Sequence, residues 1–185
     1  MKKKIVFAGS GGQGVISMAT LTCLAAIECK WNAVMSQTYG IEQRGGSAVG
    51  FVVISDQPIG SPMIEEDADI CCLMHPMIVD SHIKDAGSGK IILYNSSIIK
   101  TSPPRTDVEF IDVSATDIAQ ELGERRAANM VAMGKLCRET AFIPFDALCS
   151  ALEKMMVAKK RQLVDINIKA LKAGFEGGHD EKEKR

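Results

Sequence analysis

A glycine-rich turn near the N-terminus carries the residues of this sequence whose types and spacing suit chemistry. Residues 4–14 read Lys-Ile-Val-Phe-Ala-Gly-Ser-Gly-Gly-Gln-Gly, so that an apolar strand over residues 5–8 runs directly into glycines. Gly9, Gly11 and Gly14 satisfy the spacing G-x-G-x-x-G between a strand and a helix, the context that gives this pattern meaning. Backbone N–H groups at the positive end of a helix dipole attract anions, and glycine permits close approach. The turn therefore predicts contact with a phosphate or with another backbone segment.

A site for a nicotinamide dinucleotide needs one more element. An acidic residue roughly 20 positions later, at the end of the second strand, normally holds a ribose hydroxyl. Here the second predicted strand, about residues 32–36, ends around Met35, Ser36 and Gln37, and none of these is acidic. The sequence thus argues against a standard dinucleotide site. A purely structural glycine turn, which packs the first helix closely on the sheet, is an open alternative.

A long polar segment at residues 36–47 is the second candidate feature. The guanidinium of Arg44 offers fixed donors to a phosphate or a carboxylate, and Gly45-Gly46 permits close approach of the backbone. If the sheet is doubly wound, this segment lies near the carboxyl ends of the strands, beside the glycine turn. We therefore predict that the two segments form one site. A solvated Arg44 that Glu42 neutralises on the surface is the alternative.

The elements that must position these segments alternate along the chain. Apolar and β-branched runs predict strands, and turn residues or helical periodicity separate them. The predicted strands are 5–8, 32–36, 48–55, 69–74, 90–94 and 109–113, and the predicted helices are 14–29, one starting near 76, 114–122, 127–140, 144–156 and 160–173. We expect a three-layer α/β/α fold with a mainly parallel, Rossmann-like sheet and a helical C-terminal part.

Composition limits the class of protein. The chain has 185 residues, 46% hydrophobic and 24% charged, with a net charge of -1, which gives no indication of nucleic-acid binding. No run approaches the roughly 18 apolar residues of a membrane span, and a cytoplasmic location is expected. We expect one domain over residues 1–175 and a charged, flexible tail over 176–185. The 6 cysteines show no C-x-x-C spacing and are expected to be buried, inert thiols.

Taken together, the motifs resemble the gamma subunit, or gamma domain, of the 2-oxoacid:ferredoxin oxidoreductases, which act on pyruvate, 2-oxoglutarate, branched-chain 2-oxoacids or indolepyruvate. The resemblance covers nearly the full chain, and the order and spacing of its segments are far more specific than the glycine motif alone. The matching segments are 9–15 (Gly-Ser-Gly-Gly-Gln-Gly-Val), 39–46 (Tyr-Gly-Ile-Glu-Gln-Arg-Gly-Gly), 53–59 (Val-Ile-Ser-Asp-Gln-Pro-Ile), 67–70 (Asp-Ala-Asp-Ile) and 129–134 (Asn-Met-Val-Ala-Met-Gly).

The resemblance implies a role in the oxidative decarboxylation of a 2-oxoacid, in which coenzyme A takes the acyl group and ferredoxin takes the electrons. It implies alpha, beta and delta partner subunits that hold thiamine diphosphate, magnesium and iron-sulfur clusters, and a gamma subunit that lies near the site of coenzyme A. The chain lacks the Gly-Asp-Gly…Asn signature of thiamine enzymes, so it is expected to carry no catalytic residue of its own. The residues predicted to bind coenzyme A, or to shape the surface beside it, are Gly9, Gly11, Gly12, Gln13, Gly14, Glu42, Arg44, Gly45 and Gly46.

Two other classes of function stay open. The chain is alternatively a free-standing Rossmann-type nucleotide-binding enzyme, or an assembly module whose loops contact only protein. Self-association as a homodimer is expected when partners are absent. Among the remaining polar residues, His75 and His82 are interpreted as surface histidines with no metal set. Asn129 is interpreted as a residue that caps or begins a buried helix, with a polar contact to the loop as the alternative.

Overall fold

The computed structural model describes residues 1–41, 45–61, 63–100, 104–156 and 161–177. Strands and helices alternate over the first half of this part of the chain, and helices dominate the second. The strands are β1 (Lys2–Ser10), β2 (Asn32–Tyr39), β3 (Ser47–Ser55), β4 (Ala68–Leu73), β5 (Ala86–Asn95) and β6 (Glu109–Val113). The helices are α1 (Val15–Glu28), α2 (Val79–His82), α3 (Ala115–Glu121), α4 (Ala128–Thr140), α5 (Phe145–Met155) and α6 (Arg161–Glu176), with 3₁₀ turns at Pro76–Ile78, Ile83–Asp85 and Arg125–Ala127.

The described strands form one 6-stranded sheet in the order β2-β3-β1-β4-β5-β6. β1, β4, β5 and β6 pair in parallel, whereas β3 is antiparallel to both of its neighbours. The predicted α/β fold with a mainly parallel sheet is therefore confirmed, and β3 is its reversed strand.

The predicted position of the polar segment, beside the glycine turn, assumed a doubly wound sheet. The connection between β2 and β3 does not follow that topology. These strands pair antiparallel as a hairpin, and none of the described residues between them is helical. β2 also continues to Tyr39, because Thr38 and Tyr39 pair with Val49 and Ala48 of β3. The polar segment between the strands is consequently shorter than predicted, and its described residues lie at the tip of a hairpin.

The two faces of the sheet are covered unequally. Ile5 and Phe7 of β1 face a large apolar cluster with residues of α1, α3, α4, α5 and α6, whereas Val6 and Ala8 face a smaller cluster that includes Ile78. These four β1 residues are fully buried, as expected for a central strand of an α/β sheet. One layer is thus a set of long helices, and the other consists of the short elements over residues 76–85 and neighbouring loops.

Two glycines set the distance between α4 and α6. A Cβ atom at Gly134 would lie 2.0 Å from the carbonyl oxygen of Leu171, and one at Gly174 would lie 1.9 Å from that of Val131. Real Cβ atoms do not approach an oxygen so closely, so this separation of the helices is possible only because both positions lack a side chain. The helices therefore pack backbone against backbone, and this contact joins the last helix to the rest of the domain.

The cysteines are all free thiols. Cys71 and Cys72 lie side by side on β4 but face opposite apolar clusters. Burial raises the pKa of Cys72 to about 12 and those of Cys23 and Cys137 to about 11. Because the reactive form is the thiolate, these thiols are poor nucleophiles and poor metal ligands at neutral pH.

Among the described helices, none combines the length and the apolar character required to span a bilayer. The predicted tail over residues 176–185 begins at Glu176, the last residue of α6, but residues 178–185 lie outside the part that the structure describes. The single domain over residues 1–175 and the flexibility of the tail stay predictions.

One ion pair gives a pH-dependent contribution to stability. Arg105 donates from Nε to Asp107 Oδ1 at 2.9 Å and from Nη1 to the carbonyl oxygens of Ile83 and Ala86. The hydrogen bond from Arg105 lowers the pKa of Asp107 from 3.8 to about 2. A lowered pKa in the folded state means stabilisation that is complete above the unfolded pKa and is lost as pH falls through the folded value.

We therefore expect Asp107→Asn to lower the melting temperature most above pH 3.8, with the difference from wild type vanishing as pH falls toward about 2. Thermal unfolding followed by circular dichroism at several pH values measures this. A difference that stays constant down to pH about 2 would contradict the assigned cause.

Candidate functional site

The side chain of Gln13 fixes the shape of the glycine turn. Its Oε1 accepts a hydrogen bond from the backbone N–H of Ser10 at 2.8 Å, and its Nε2 donates to the carbonyl oxygen of Met74 at 3.0 Å. A Cβ atom at Gly9 would lie 2.8 Å from Gln13 Oε1, so glycine at position 9 leaves room for this contact. The turn is thereby tied to the end of β4.

Gly14 and Asn129 join the turn to the start of α4. Gly14 precedes α1 in a left-handed conformation with φ 72°, which favours glycine. The Nδ2 of Asn129 donates to the carbonyl oxygen of Gly14 at 3.3 Å and would lie only 2.4 Å from a Cβ atom at that glycine. Asn129 lies in the first turn of the buried helix α4, as one of its two predicted roles requires, but it does not cap the helix. Ala127 occupies the cap position, and the amide of Asn129 reaches across to the turn.

The hairpin tip contacts the glycine turn, so the described parts of the two predicted segments come together. Gly11 N–H donates to the carbonyl oxygen of Gly46 at 2.7 Å, and Ser10 Oγ donates to that of Gly45 at 2.8 Å. The turn was predicted to contact a phosphate or another backbone segment. The backbone of Gly45 and Gly46 makes this contact over part of its surface. Glu42 and Arg44 lie outside the described residues, so their predicted place in the site stays a prediction.

The other side of the turn is open. A Cβ atom at Gly12 would have no heavy atom within 4 Å. Within the described ranges, no side chain caps the first turn of α1 and no acidic residue lies in it. The N–H groups at this helix terminus are consequently available to an anion.

A cleft of about 380 Å³ opens beside the turn, at the carboxyl ends of the parallel strands. Ser10 ends β1, Met74 follows β4, Ile98 follows β5 and Thr116 lies in α3, directly after β6. This is the edge of an α/β sheet at which ligands commonly bind. The cleft is lined by Ser10, Gly12, Gln13, Met74, His75, Pro76, Ile98, Thr116, Arg125, Arg126 and Ala128.

A buried hydrogen-bond network supports the floor of this cleft. Asn95, at the end of β5, is fully buried and donates from Nδ2 to Thr116 Oγ1 at 2.9 Å. Its Oδ1 accepts the N–H of Thr116 at 3.4 Å and that of Ser97 at 3.3 Å. Thr116 is therefore held in a single position where β6 leads into α3.

The two histidines considered above act separately. His75 Nδ1 accepts the backbone N–H of Met77 at 3.3 Å and so caps the 3₁₀ turn at Pro76–Ile78. His82 Nδ1 lies 2.7 Å from Asp85 Oδ2. Over the residues that the structure describes, no cluster of three or more His, Cys, Asp or Glu side chains is arranged to hold a metal ion.

Sequence reasoning missed Arg125 and Arg126, which bring two positive charges to the cleft. They lie in the 3₁₀ turn that leads into α4, four and three positions before Asn129. A useful signal was present: an adjacent basic pair precedes the matched segment at 129–134. What the sequence did not reveal is the contact between Asn129 and Gly14, which places this pair opposite the glycine turn.

Comparison with known proteins adds sequence and structural relatives. The chain is 33% identical over 155 residues to the 2-oxoglutarate synthase subunit KorC of Methanocaldococcus jannaschii, covering 82% of each chain. It is 33% identical to the ketoisovalerate oxidoreductase subunit VorA of Methanothermobacter thermautotrophicus, covering 94% of this chain but only 36% of that protein. The chain therefore spans about a third of the length of that relative.

Solved structures share the fold. The gamma subunit of a keto/oxoacid ferredoxin oxidoreductase from Geobacter sulfurreducens superposes with a TM-score of 0.80 at 28% identity, covering 94% of this chain and 96% of that one. The 2-oxoglutarate:ferredoxin oxidoreductase from Magnetococcus marinus, solved with 2-oxoglutarate, coenzyme A and succinyl-CoA bound, gives a TM-score of 0.84 at 21% identity, covering 96% of this chain and 32% of that one. At that identity the second similarity concerns the fold alone.

The family resemblance found in the sequence is thus confirmed. Three of its five matched segments lie at the turn after β1, the hairpin and the start of α4, and the structure brings their described residues to one edge of the sheet. The segments at 53–59 and 67–70 lie at the opposite edge, beside the start of β1. Residues 4–177 match the family of pyruvate ferredoxin/flavodoxin oxidoreductases, and the chain belongs to this family.

Proposed function

We propose that the chain works as a gamma-type subunit of a cytoplasmic, multi-subunit 2-oxoacid:ferredoxin oxidoreductase. The complex would convert a 2-oxoacid to an acyl-CoA and pass the electrons to ferredoxin. Support comes from relatives named as subunits, which the chain matches along most of their length: KorC of Methanocaldococcus jannaschii at 82% and IorB, the indolepyruvate oxidoreductase subunit of Archaeoglobus fulgidus, at 94%.

The redox and decarboxylation chemistry is assigned to partner subunits. The cysteines of this chain do not fit an iron-sulfur cluster, because Cys71 and Cys72 face opposite sides of the sheet and burial raises their pKa values. The sequence also lacks the signature that binds the magnesium diphosphate of thiamine enzymes. Thiamine diphosphate, when bound to alpha and beta partners, supplies the decarboxylation chemistry.

The contribution that we propose for this chain is to bind and orient the nucleotide end of coenzyme A. The observation that carries this proposal is the cleft of about 380 Å³ beside the uncapped N-terminus of α1. Coenzyme A presents a diphosphate and a ribose 3′-phosphate, which suit backbone N–H groups and guanidinium groups. It does not need the ribose-binding acid that the second strand lacks.

The residues proposed to form this binding surface include those of the sequence prediction. Gly12 leaves the backbone open to the ligand, and Gly14 permits the close approach of Asn129, while Gly9 and Gln13 hold the turn in shape. Hydrogen bonds at Gly11, Gly45 and Gly46 hold the hairpin against the turn. Arg44 immediately precedes Gly45 in the sequence, and Glu42 lies two positions before Arg44. The thiol end of coenzyme A would then reach the thiamine site of a neighbouring subunit.

Replacement of Arg44 tests the sequence-based part of this proposal. In the assembled enzyme we expect Arg44→Ala to raise the KM for coenzyme A by about tenfold while the KM for the 2-oxoacid is retained, since a hydrogen bond to a charged group is worth about 1.5–3 kcal/mol. Arg161→Ala, which removes an exposed arginine of α6, serves as the control. An unchanged KM for coenzyme A would remove Arg44 from the site.

An assembly module is the second candidate, and the hairpin tip favours it. Tyr39 is 62% exposed and Ile41 is fully exposed, so two large apolar side chains lie exposed close together at this tip. The Ser10 hydroxyl and the Gly11 N–H donate to this hairpin, so these two donors of the turn already have a protein acceptor. Co-purification with alpha, beta and delta partners that persists in Arg44→Ala but is lost in Ile41→Asp would favour a protein-only role for the tip.

A free-standing nucleotide enzyme makes a different prediction. Titration of the purified chain with NAD, NADP, ATP and coenzyme A distinguishes it, because tight binding of a nicotinamide dinucleotide with turnover would overturn the subunit proposal. Size-exclusion chromatography of the same preparation measures whether the isolated chain forms the expected homodimer.

A further inference from the structure

The 3₁₀ turn at Arg125–Ala127 forms a second wall of the cleft, opposite the glycine turn. We propose that Arg125 and Arg126 bind the phosphate groups of a nucleoside phosphate whose base lies against the apolar part of the cleft. The inference deepens the proposed function and rests on it for the identity of the natural ligand. It assigns the anion-binding charges to the α3–α4 connection.

The backbone around the arginine pair is firmly fixed. Glu124 accepts the N–H of Arg126 on its side chain at 3.1 Å, and the N–H of Glu124 donates to Ala119 O at 3.1 Å. Ala127, which follows the pair, is 1% exposed. The arginine side chains therefore extend from an anchored turn and can be positioned with little loss of backbone entropy.

The two walls of the cleft are connected to each other. Asn129 is 7% exposed and its hydrogen bond to Gly14 O links the arginine turn to the N-terminus of α1. A phosphate placed between them meets N–H groups of the helix terminus on one side and guanidinium groups on the other. Both features stabilise a negative charge, and the link keeps their separation constant.

Charge in the cleft favours an anion. The residues that line it include two arginines and no aspartate or glutamate. Arg126 is 88% exposed and lies 3.4 Å from Glu124 Oε1, an exposed contact of small energetic value that a phosphate can displace. Within the described ranges, Arg125 forms no ion pair.

The remainder of the lining is suited to a base and a sugar. Met74, Pro76 and Ile98 supply apolar surface, and the hydroxyl of Thr116, fixed by Asn95, supplies a polar group on the floor. A volume of about 380 Å³ lies at the lower end of the range of about 300–1,000 Å³ that small-molecule sites occupy. The cleft is therefore large enough for a single nucleotide.

Isothermal titration of the full chain with adenosine 3′,5′-bisphosphate tests the inference. We expect the wild-type chain to bind this probe, adenosine without phosphate to bind much more weakly, and the double variant Arg125→Gln/Arg126→Gln to lose affinity by about tenfold or more. The matched control is Arg138→Gln/Arg161→Gln, which removes the same charge from positions that do not line the cleft and should retain wild-type affinity. Equal melting temperatures of the variants verify folding.

The outcomes separate this inference from the proposed function. Absence of binding to the wild-type chain, equal binding of adenosine, or equal loss of affinity in both double variants overturns the arginine site. The same variants are then measured in the assembled oxidoreductase. If affinity for the bisphosphate falls but the KM for coenzyme A is unchanged, the arginine site stands and the coenzyme A role fails.

Discussion

Gly134→Ala is expected to destabilise the protein by at least about 3 kcal/mol, because the new methyl group would lie 2.0 Å from the carbonyl oxygen of Leu171. That oxygen belongs to the backbone of α6, so no rotamer change can relieve the overlap. The helices must separate, and the apolar surface between α4 and α6 becomes exposed. Urea unfolding followed by far-ultraviolet circular dichroism measures the effect, and Gly174→Ala should behave similarly because its methyl group would meet Val131 O at 1.9 Å.

Gly60→Ala is the matched control for this pair. It adds the same methyl group at an exposed position with no heavy atom within 4 Å, and its stability should differ little from that of the wild type. If Gly134→Ala unfolds at the same urea concentration as Gly60→Ala, the close approach of α4 and α6 is refuted.

The contact between Gly14 and Asn129 predicts a strong coupling between two substitutions. Gly14→Ala should cost about 1–2 kcal/mol for the left-handed backbone, and more because the methyl group would lie 2.4 Å from Asn129 Nδ2. Asn129→Ala alone should cost about 0.5–1.5 kcal/mol for the lost hydrogen bond. In the double variant the overlap disappears, since the Cβ atom of residue 129 would be 3.8 Å from the new methyl group.

A double-mutant cycle therefore should show that the double variant is more stable than the sum of the single effects by about 1 kcal/mol or more. Gly12→Ala combined with Asn129→Ala provides the control cycle. Gly12 also has a left-handed conformation, with φ 93°, but a methyl group there meets no atom within 4 Å, so these effects should add. Additivity in both cycles would contradict the contact across the cleft.

The sequence was sufficient to predict most of the elements because their signals are local. The apolar run of β4, for example, lies between polar and turn residues, and the predicted strand over residues 69–74 coincides with Ala68–Leu73 within a residue. Likewise, the glycine spacing after β1 predicted a helix from about Gly14, and α1 begins one residue later, at Val15. Periodicity and turn chemistry carry this information within a few positions of the chain.

The reversed direction of β3 was not predictable in the same way. Strand direction depends on which segments pair, and the residues between β2 and β3 do not show by composition whether they cross the sheet or fold back. Thr38 and Tyr39 suit a strand and a polar loop equally well until Val49 and Ala48 are placed opposite them. The hairpin is therefore a result of pairing, which is non-local.

The candidate site likewise contains contacts that the sequence predicted and contacts that only the tertiary structure shows. The turn at Gly11 and the hairpin residue Gly46 were correctly expected to meet, as their hydrogen bond of 2.7 Å confirms. The amide of Asn129, in contrast, is separated from Gly14 by 115 positions, and only tertiary packing reveals its direction. Arg125 and Arg126 were missed for this reason, since a basic pair near a helix start has no evident partner in the sequence.

The hydrogen bond between Asn129 and Gly14 also has a consequence for biosynthesis. These residues are 115 positions apart, so the first βα unit leaves the ribosome long before its counterpart in α4 is translated. A nascent polypeptide that ends before residue 129 can form the glycine turn but not the opposite wall of the cleft. The two walls of the cleft are therefore held together only after α4 has been synthesised.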